Sequence, residues 1–217
     1  MWSLAGSDSV TALHAAPGNP GIAALATCHP VRADDAPGLV SLALELAVDL
    51  VVIGPEGPLV AGVADALRGA GLTVLGPSAA AARIEGSKTF AKEVMEAAGV
   101  PTARRLSVPV APCVVKADGL AAGKGVVICR TEDELRHGLE VVRSFGGELV
   151  AEELLEGPEV SLFALCDGVD ARLLGVAQDF KRALDGDEGP NTGGMGSYAP
   201  VPGLDPGTVD ALVDRTI

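Results

Sequence analysis

The chain of 217 residues contains only five lysines, at 88, 92, 116, 124 and 181. Two of them bracket a glycine-rich stretch: residues 114–129 read VVKADGLAAGKGVVIC, with Gly119 and Gly123 between Lys116 and Lys124 and Gly125 just after. Glycines let a backbone approach a ligand closely, and the N–H groups of such a loop can aim at phosphate oxygens while lysine supplies positive charge. The pattern is not a Walker A loop. Three residues rather than four separate Gly119 from Gly123, and Gly125 stands where Ser or Thr is required. A P-loop also opens a helix, whereas the GVVIC that follows Lys124 is β-branched and strand-like. The stretch is therefore expected to be a hairpin that closes over a phosphate, with a solvated surface hairpin as the alternative. Alternation along its first strand puts Val114, Lys116 and Asp118 on one side and Val115 and Ala117 on the other, so Lys116 projects from a rigid strand.

Other chemistry-bearing stretches follow the same theme. SKTFAKEVMEAAG (87–99) reads as a helix with Phe90, Val94 and Ala98 on its buried face and Lys88 and Lys92 on another. Lys88 falls in the first turn, where the helix dipole disfavours a cation unless an anion is near. VAEELLEGPEVS (150–161) places Glu152, Glu153 and Glu159 around a strand-to-strand junction. QDFKRALDGDEGPNTGGMGSYAP (178–200) is expected to have little regular structure, and a loop that long in a compact domain is usually functional.

The formal charge of −13, from 29 acidic and 16 basic residues, excludes a general nucleic-acid binder but not a phosphorylated small molecule held in a locally positive pocket. With 48% hydrophobic and 3% aromatic residues, the core must be built mostly of Ala, Val and Leu. None of the four cysteines (28, 113, 129, 166) forms a C-x-x-C pair, so they read as small buried hydrophobes of a reducing compartment. MWSLAGSDS lacks the features of a signal peptide, and Glu45 and Asp49 break the most apolar run. A cytoplasmic protein with no membrane or nucleic-acid partner is expected, and no protein partner can be inferred.

Two kinds of element must position these residues. Up to about residue 85 the chain alternates: a strand at Val10–Ala15, PGNPG, a helix over 38–48, a strand at Asp49–Ile53, GPEGP, a helix at Leu59–Ala70 and a strand at Thr73–Leu75. That rhythm gives an α/β unit with a parallel sheet, whose ligands collect at the carboxyl ends of the strands. Beyond residue 110, strands at Val114–Lys116, Val126–Cys129, Glu148–Glu152, Val160–Leu165 and Arg172–Ala177 surround one helix, Glu132–Phe145, as in an antiparallel α+β unit.

In order and spacing, DLVVIGPEGPLVAGVADAL, GPSAAAARIEGSKTFAKEVM, GVPTA, VVKADGLAAGKGVVI, EELLEGPEVS and the 178–200 stretch resemble the phosphoribosylamine–glycine ligases (glycinamide ribonucleotide synthetases), ATP-grasp enzymes of purine biosynthesis. The resemblance implies an incomplete N-terminal parallel α/β (pre-ATP-grasp) domain over 1–85. An incomplete α+β ATP-grasp domain would follow over 86–217, with a lid subdomain at about 110–178. It implies that ATP, with Mg²⁺ or Mn²⁺, phosphorylates the carboxylate of glycine and that 5-phosphoribosylamine attacks the acyl phosphate. By position, ATP falls to Lys88, Lys116, Gly119, Gly123, Lys124, Gly125, Glu152, Glu153, Leu155 and Glu159. Asn19, Glu56, Asp179, Thr192, Gly193, Gly194 and Gly196 fall to the other substrates, and Lys181, Arg182 and Asn191 to catalysis. The family's first strand and its Gly-rich turn are expected to be missing before Met1, and the metal ligands to lie beyond Ile217. Phe180 stands where the family usually has His, and Pro158 where Glu is common. An inactive fragment, or another ATP-grasp carboxylate–amine ligase, is the alternative. PGNPG and GPE favour phosphoribosylamine.

Overall fold

Short apolar runs punctuated by Gly and Pro fold into brief elements over the first unit, Met1–Gly86, and longer strands build the second, Ser87–Ile217. The structure is a computed structural model that describes residues 1–121, 125–186 and 188–216.

The first unit comprises α1 (Trp2–Ala5), β1 (His14–Ala15), a 3₁₀ turn (Ile22–Ala24), β2 (Thr27–Cys28), α2 (Ala36–Glu45), β3 (Val51–Val52), α3 (Glu56–Val60), α4 (Val63–Gly69), β4 (Val74–Leu75) and α5 (Ala79–Gly86). β1 pairs with β2 and β3 with β4, both in parallel, as the alternating sequence leads one to expect. Asp35 caps α2 by accepting from the Gly38 N–H at 3.0 Å, ahead of a first turn that contains Pro37. Val63, Leu67 and Ala43 pack under Leu39, Val51 and Val74 to form the core. An apolar cavity of about 590 Å³ lies against both strand pairs, with Ala43, Leu46 and Leu67 among its lining residues.

The single helix expected over Leu59–Ala70 is instead two. Gly62 adopts a left-handed φ of +86°, a conformation that no helix can continue through, and α4 restarts beyond it. β1 is shorter than the expected strand, and β2 and α5 had no clear periodic signal.

The second unit comprises α6 (Lys88–Ala98), β5 (Cys113–Ala117), β6 (Val126–Cys129), α7 (Glu132–Ser144), β7 (Leu149–Glu153), β8 (Ser161–Cys166), β9 (Ala171–Asp179), β10 (Arg182–Leu184), β11 (Glu188–Asn191), β12 (Ser197–Tyr198) and α8 (Pro206–Thr216). β5 is the centre of an antiparallel sheet, β6-β5-β7, and α7 covers one face of it. Thr131 and Glu134 close a reciprocal capping box at the start of α7. Cys113, Val115 and Ala117 point into the core beneath Leu135 and Val142. A Cβ on Gly138 would come within 2.8 Å of the Cys129 sulfur, so a glycine is what lets α7 sit this close to the sheet. Cys113 and Cys129 face each other across β5 and β6. Burial pushes both thiols up, that of Cys129 to about 11, which fits small hydrophobes rather than reactive groups.

β8, β9 and β12 form a second antiparallel sheet. The expectation of little regular structure over 178–200 is overturned here. β9 runs through Asp179, β10 pairs with β11, and β12 returns to β9. Charged residues and glycines hide these strands from a periodicity argument, because their side chains are half-buried or exposed and none of the described ones forms an alternating buried face.

Candidate functional site

The register of the first sheet decides which side chains meet. Lys116 lies opposite Val150 and Glu152 opposite Val114, so Lys116 and Glu152 are diagonal neighbours on the face away from α7. The Lys116 ammonium donates to Glu152 Oε2 at 2.7 Å, and the other carboxylate oxygen stands 3.3 Å from Lys92 Nζ. Glu152 and Lys92 side chains are 5% and 4% exposed and Lys116 26%, so the first two are interior and Lys116 alone reaches solvent. Lys92 also donates to Thr102 Oγ1 at 2.7 Å and to the Ala103 carbonyl, which occupies its remaining donors. The helix face expected to be buried is therefore wrong in part: Lys92 is the buried residue of α6, and Ala98 is exposed. An ion pair and two hydrogen bonds hold the ammonium inside, and hydrophobic periodicity cannot register that.

The start of α6 has the anion that Lys88 called for, but it is the protein's own. Asp118, just past β5, accepts from the backbone N–H groups of Lys88 at 2.6 Å and Thr89 at 3.3 Å and from the Ser87 hydroxyl at 3.0 Å. Ser87 in turn caps the helix by accepting from the Phe90 N–H at 3.1 Å. The Lys88 ammonium donates to the Gly119 carbonyl at 2.6 Å, fastening it to the start of the hairpin. Gly119 has φ +91°, and a Cβ on Gly125 would stand 2.5 Å from that of Ala121, so local backbone conformation at the first and side-chain packing at the second favour glycine. Gly123 and Lys124 lie outside the described residues.

Burial alone would push the Asp118 carboxyl up, but the donors from Thr89, Ser87, Gly119 and Lys88 outweigh it and hold it below the ordinary 3.8. A depressed folded value means that the stabilisation is present above the unfolded value and is lost as pH falls through the folded one. Asp118→Asn is thus expected to destabilise the protein by about 1 kcal/mol at pH 7. That difference should shrink as pH drops below 3.8. Urea unfolding of both proteins at pH 7 and in acid checks this, and a constant difference would contradict it.

A second cluster gathers at the end of β9 and along the β10–β11 pair. Lys181 stands 3.0 Å from Asp179 and 3.5 Å from Glu159, and its hydrogen bond to Asp179 is the main influence raising its ammonium above the ordinary range. Arg182 donates to the Gly189 carbonyl at 2.7 Å. Thr192 donates through its N–H and its hydroxyl to the Lys181 carbonyl, at 2.7 and 3.0 Å, and accepts from the Gly194 N–H at 3.0 Å. Asn191 pairs with Arg182 in the ladder. Gly194 and Gly196 have φ of +113° and +156°, and a Cβ on Gly194 would press on Asp179, whereas Gly193 has open space around it.

The remaining positions divide. The Glu153 carboxylate accepts from the Arg104 N–H at 2.8 Å, and Leu155 is exposed. In the first unit, Asn19 and Glu56 follow β1 and β3 at their carboxyl ends, both exposed. Asn19 Oδ1 accepts from the Ile22 N–H at 2.9 Å. Sequence reasoning missed the parts played by Lys92, Asp118 and Ser87. Their signal was present as a lysine at mid-helix and an aspartate next to the glycines, but only the fold brings α6 to the end of β5.

An antiparallel sheet with a lysine on its central strand, a glycine-rich turn and a second β-rich sheet is the arrangement of the ATP-grasp class. The family model "Phosphoribosylglycinamide synthetase, ATP-grasp (A) domain" matches residues 86–217, and the corresponding N-domain model matches residues 1–85. The chain belongs to the phosphoribosylglycinamide synthetase family. It is 55% identical to the phosphoribosylamine–glycine ligase of Streptomyces coelicolor, over 99% of this chain and 54% of that protein. With the Corynebacterium ammoniagenes ligase it shares 51%, over 98% and 54%. The crystal structure of the Thermotoga maritima phosphoribosylamine–glycine ligase matches with a TM-score of 0.76 at 31% identity, covering 98% of this chain and 56% of that one. The biotin carboxylase domain of Hydrogenobacter thermophilus 2-oxoglutarate carboxylase, solved with MgADP, shares the fold at a TM-score of 0.69 and 24% identity. The chain spans about half the length of the curated relatives it matches.

Proposed function

We propose that this chain carries the ATP-gripping part of a ligase that joins glycine to 5-phosphoribosylamine, giving glycinamide ribonucleotide, ADP and phosphate. One observation carries the reading: in a chain with both matched domains, Lys116 is the partly exposed member of an otherwise buried charge network, on the strand that leads into Gly119. Two lysines and one carboxylate leave a local surplus of one positive charge at that place. That fits a nucleotide polyphosphate, with Lys116 and Lys88 toward its phosphates. Backbone groups near Glu152, Glu153 and Leu155 would meet adenine and Glu159 the ribose. ATP supplies the phosphoryl group that activates the carboxylate of glycine. The chain's part is positioning and charge neutralisation, with Lys181, Arg182, Asn191, Asp179, Thr192 and the glycines at 193, 194 and 196 over the acyl centre. Asn19 and Glu56 would take phosphoribosylamine, since the carboxyl ends of parallel strands collect ligands.

Magnesium belongs to the same proposal. Among the described residues no group of three or more His, Cys, Asp or Glu is placed to hold a metal ion. Nor is any helix among them long and apolar enough to cross a membrane. We place the reaction in the cytoplasm.

The test is ADP release by the full-length protein, measured with each substrate omitted in turn. Release should require glycine and 5-phosphoribosylamine together. Equal release without the amine, or a preference for another amine, would overturn the assignment.

A further inference from the structure

Glu152 has two cationic partners, and only one of them can reach a ligand. Its carboxylate bridges Lys116, at 2.7 Å, and Lys92, at 3.3 Å, and it lies in the interior, where a charge without a partner is costly. Were Lys116 its sole counter-ion, any ligand that drew Lys116 away would strand the carboxylate. Lys92 removes that conflict. It is buried on α6 at 3% exposure, and its other donors are taken by Thr102 and Ala103. Its charge is therefore committed to Glu152 and not to any ligand.

We infer that Lys92 is a positioning residue: by neutralising Glu152 from within, it frees Lys116 to turn its charge toward an anionic ligand. The inference rests on the proposal that Lys116 meets the phosphates of ATP. It separates two lysines that look alike in sequence. Lys116 touches the ligand, and Lys92 decides how much of the Lys116 charge is available to it. Glu152 is then the carboxylate that holds Lys116 in place while the site is empty, and its contribution to the nucleotide passes through its backbone.

The test compares Lys92→Met, Lys92→Arg and the double variant Lys92→Met/Glu152→Gln in the full-length protein. Lys92→Met should raise KM for ATP by about tenfold or more, with a smaller change in kcat. Lys92→Arg, which keeps the charge, should stay near the parent, and the double variant should recover most of the ATP affinity because no carboxylate then competes for Lys116. A role in packing alone predicts the reverse: the double variant would be no better than the single one. A second readout needs no turnover. Acetylation of Lys116 by acetic anhydride, followed by mass spectrometry in the absence of ligand, should slow in Lys92→Met and recover in the double variant. ATP should protect Lys116 in the parent. If the acetylation pattern holds while ATP neither protects nor turns over, the nucleotide reading fails and the link between Lys92 and Lys116 stands. If ATP protects Lys116 but the variants acetylate alike, the role of Lys92 is refuted and the nucleotide reading survives.

Discussion

Lys116→Ala in the full-length protein is expected to lower kcat/KM for ATP by about 10²- to 10³-fold, which corresponds to losing one preorganised charge from a developing anion. The same change should leave the fold almost untouched. Lys116 is the partly exposed member of its network, and Glu152 keeps Lys92 when Lys116 is gone. No interior charge is left alone, so the cost in stability should be about 1 kcal/mol, that of a single hydrogen-bonded contact. A large loss of activity with a small loss of stability is the signature of a residue that faces a ligand. Steady-state kinetics with varied ATP, alongside urea unfolding, measures both. Unchanged kcat and ATP KM would remove Lys116 from the site. An unfolded variant would mean that Lys92 does not neutralise Glu152 as the distances indicate.

That prediction was half legible in the sequence. VVKADGLAAGKGVVIC gave the hairpin, the face on which Lys116 stands and the rejection of a P-loop, because strand alternation is a local property with a fixed period. The register of β5 and β6 agrees with it pair by pair. What could not be read was long-range. Glu152 looked like an acidic residue at a strand-to-strand junction, and Lys92 like a lysine off the buried face of its helix, until α6 and β7 were brought together around one carboxylate. The same holds for Asp118, whose carboxylate serves the start of a helix about thirty residues earlier in the chain. Periodicity finds the apolar face of a helix; it has no term for a buried cation with a full set of partners. The paired strands between 178 and 200 were lost for a related reason, since short ladders rich in Gly and charge leave little pattern in side chains.

Glu152→Ala should be the most destabilising of these substitutions, at about 3–5 kcal/mol, the range for stripping the counter-ion from a buried charge. Removing the carboxylate leaves two ammonium groups facing one another's empty partner. Lys116 can turn outward into water, but Lys92 is 4% exposed and cannot. Thr102 and the Ala103 carbonyl satisfy two of its hydrogens without offsetting its charge. Glu152→Gln should cost less, because the amide oxygen can still accept one of the two bonds. Lys92→Met/Glu152→Gln should be the mildest way to lose the carboxylate, since the stranded cation goes with it. The order expected in urea unfolding is therefore Glu152→Ala worst, Glu152→Gln next and the double variant closest to the parent. Amide hydrogen exchange should show the loss in β5 and β7, the strands this network ties together, before it shows in β8 and β9. If Glu152→Ala unfolded within about 1 kcal/mol of the parent, the network would be a weak contact, and the small stability cost expected for Lys116→Ala would no longer identify a residue that faces a ligand.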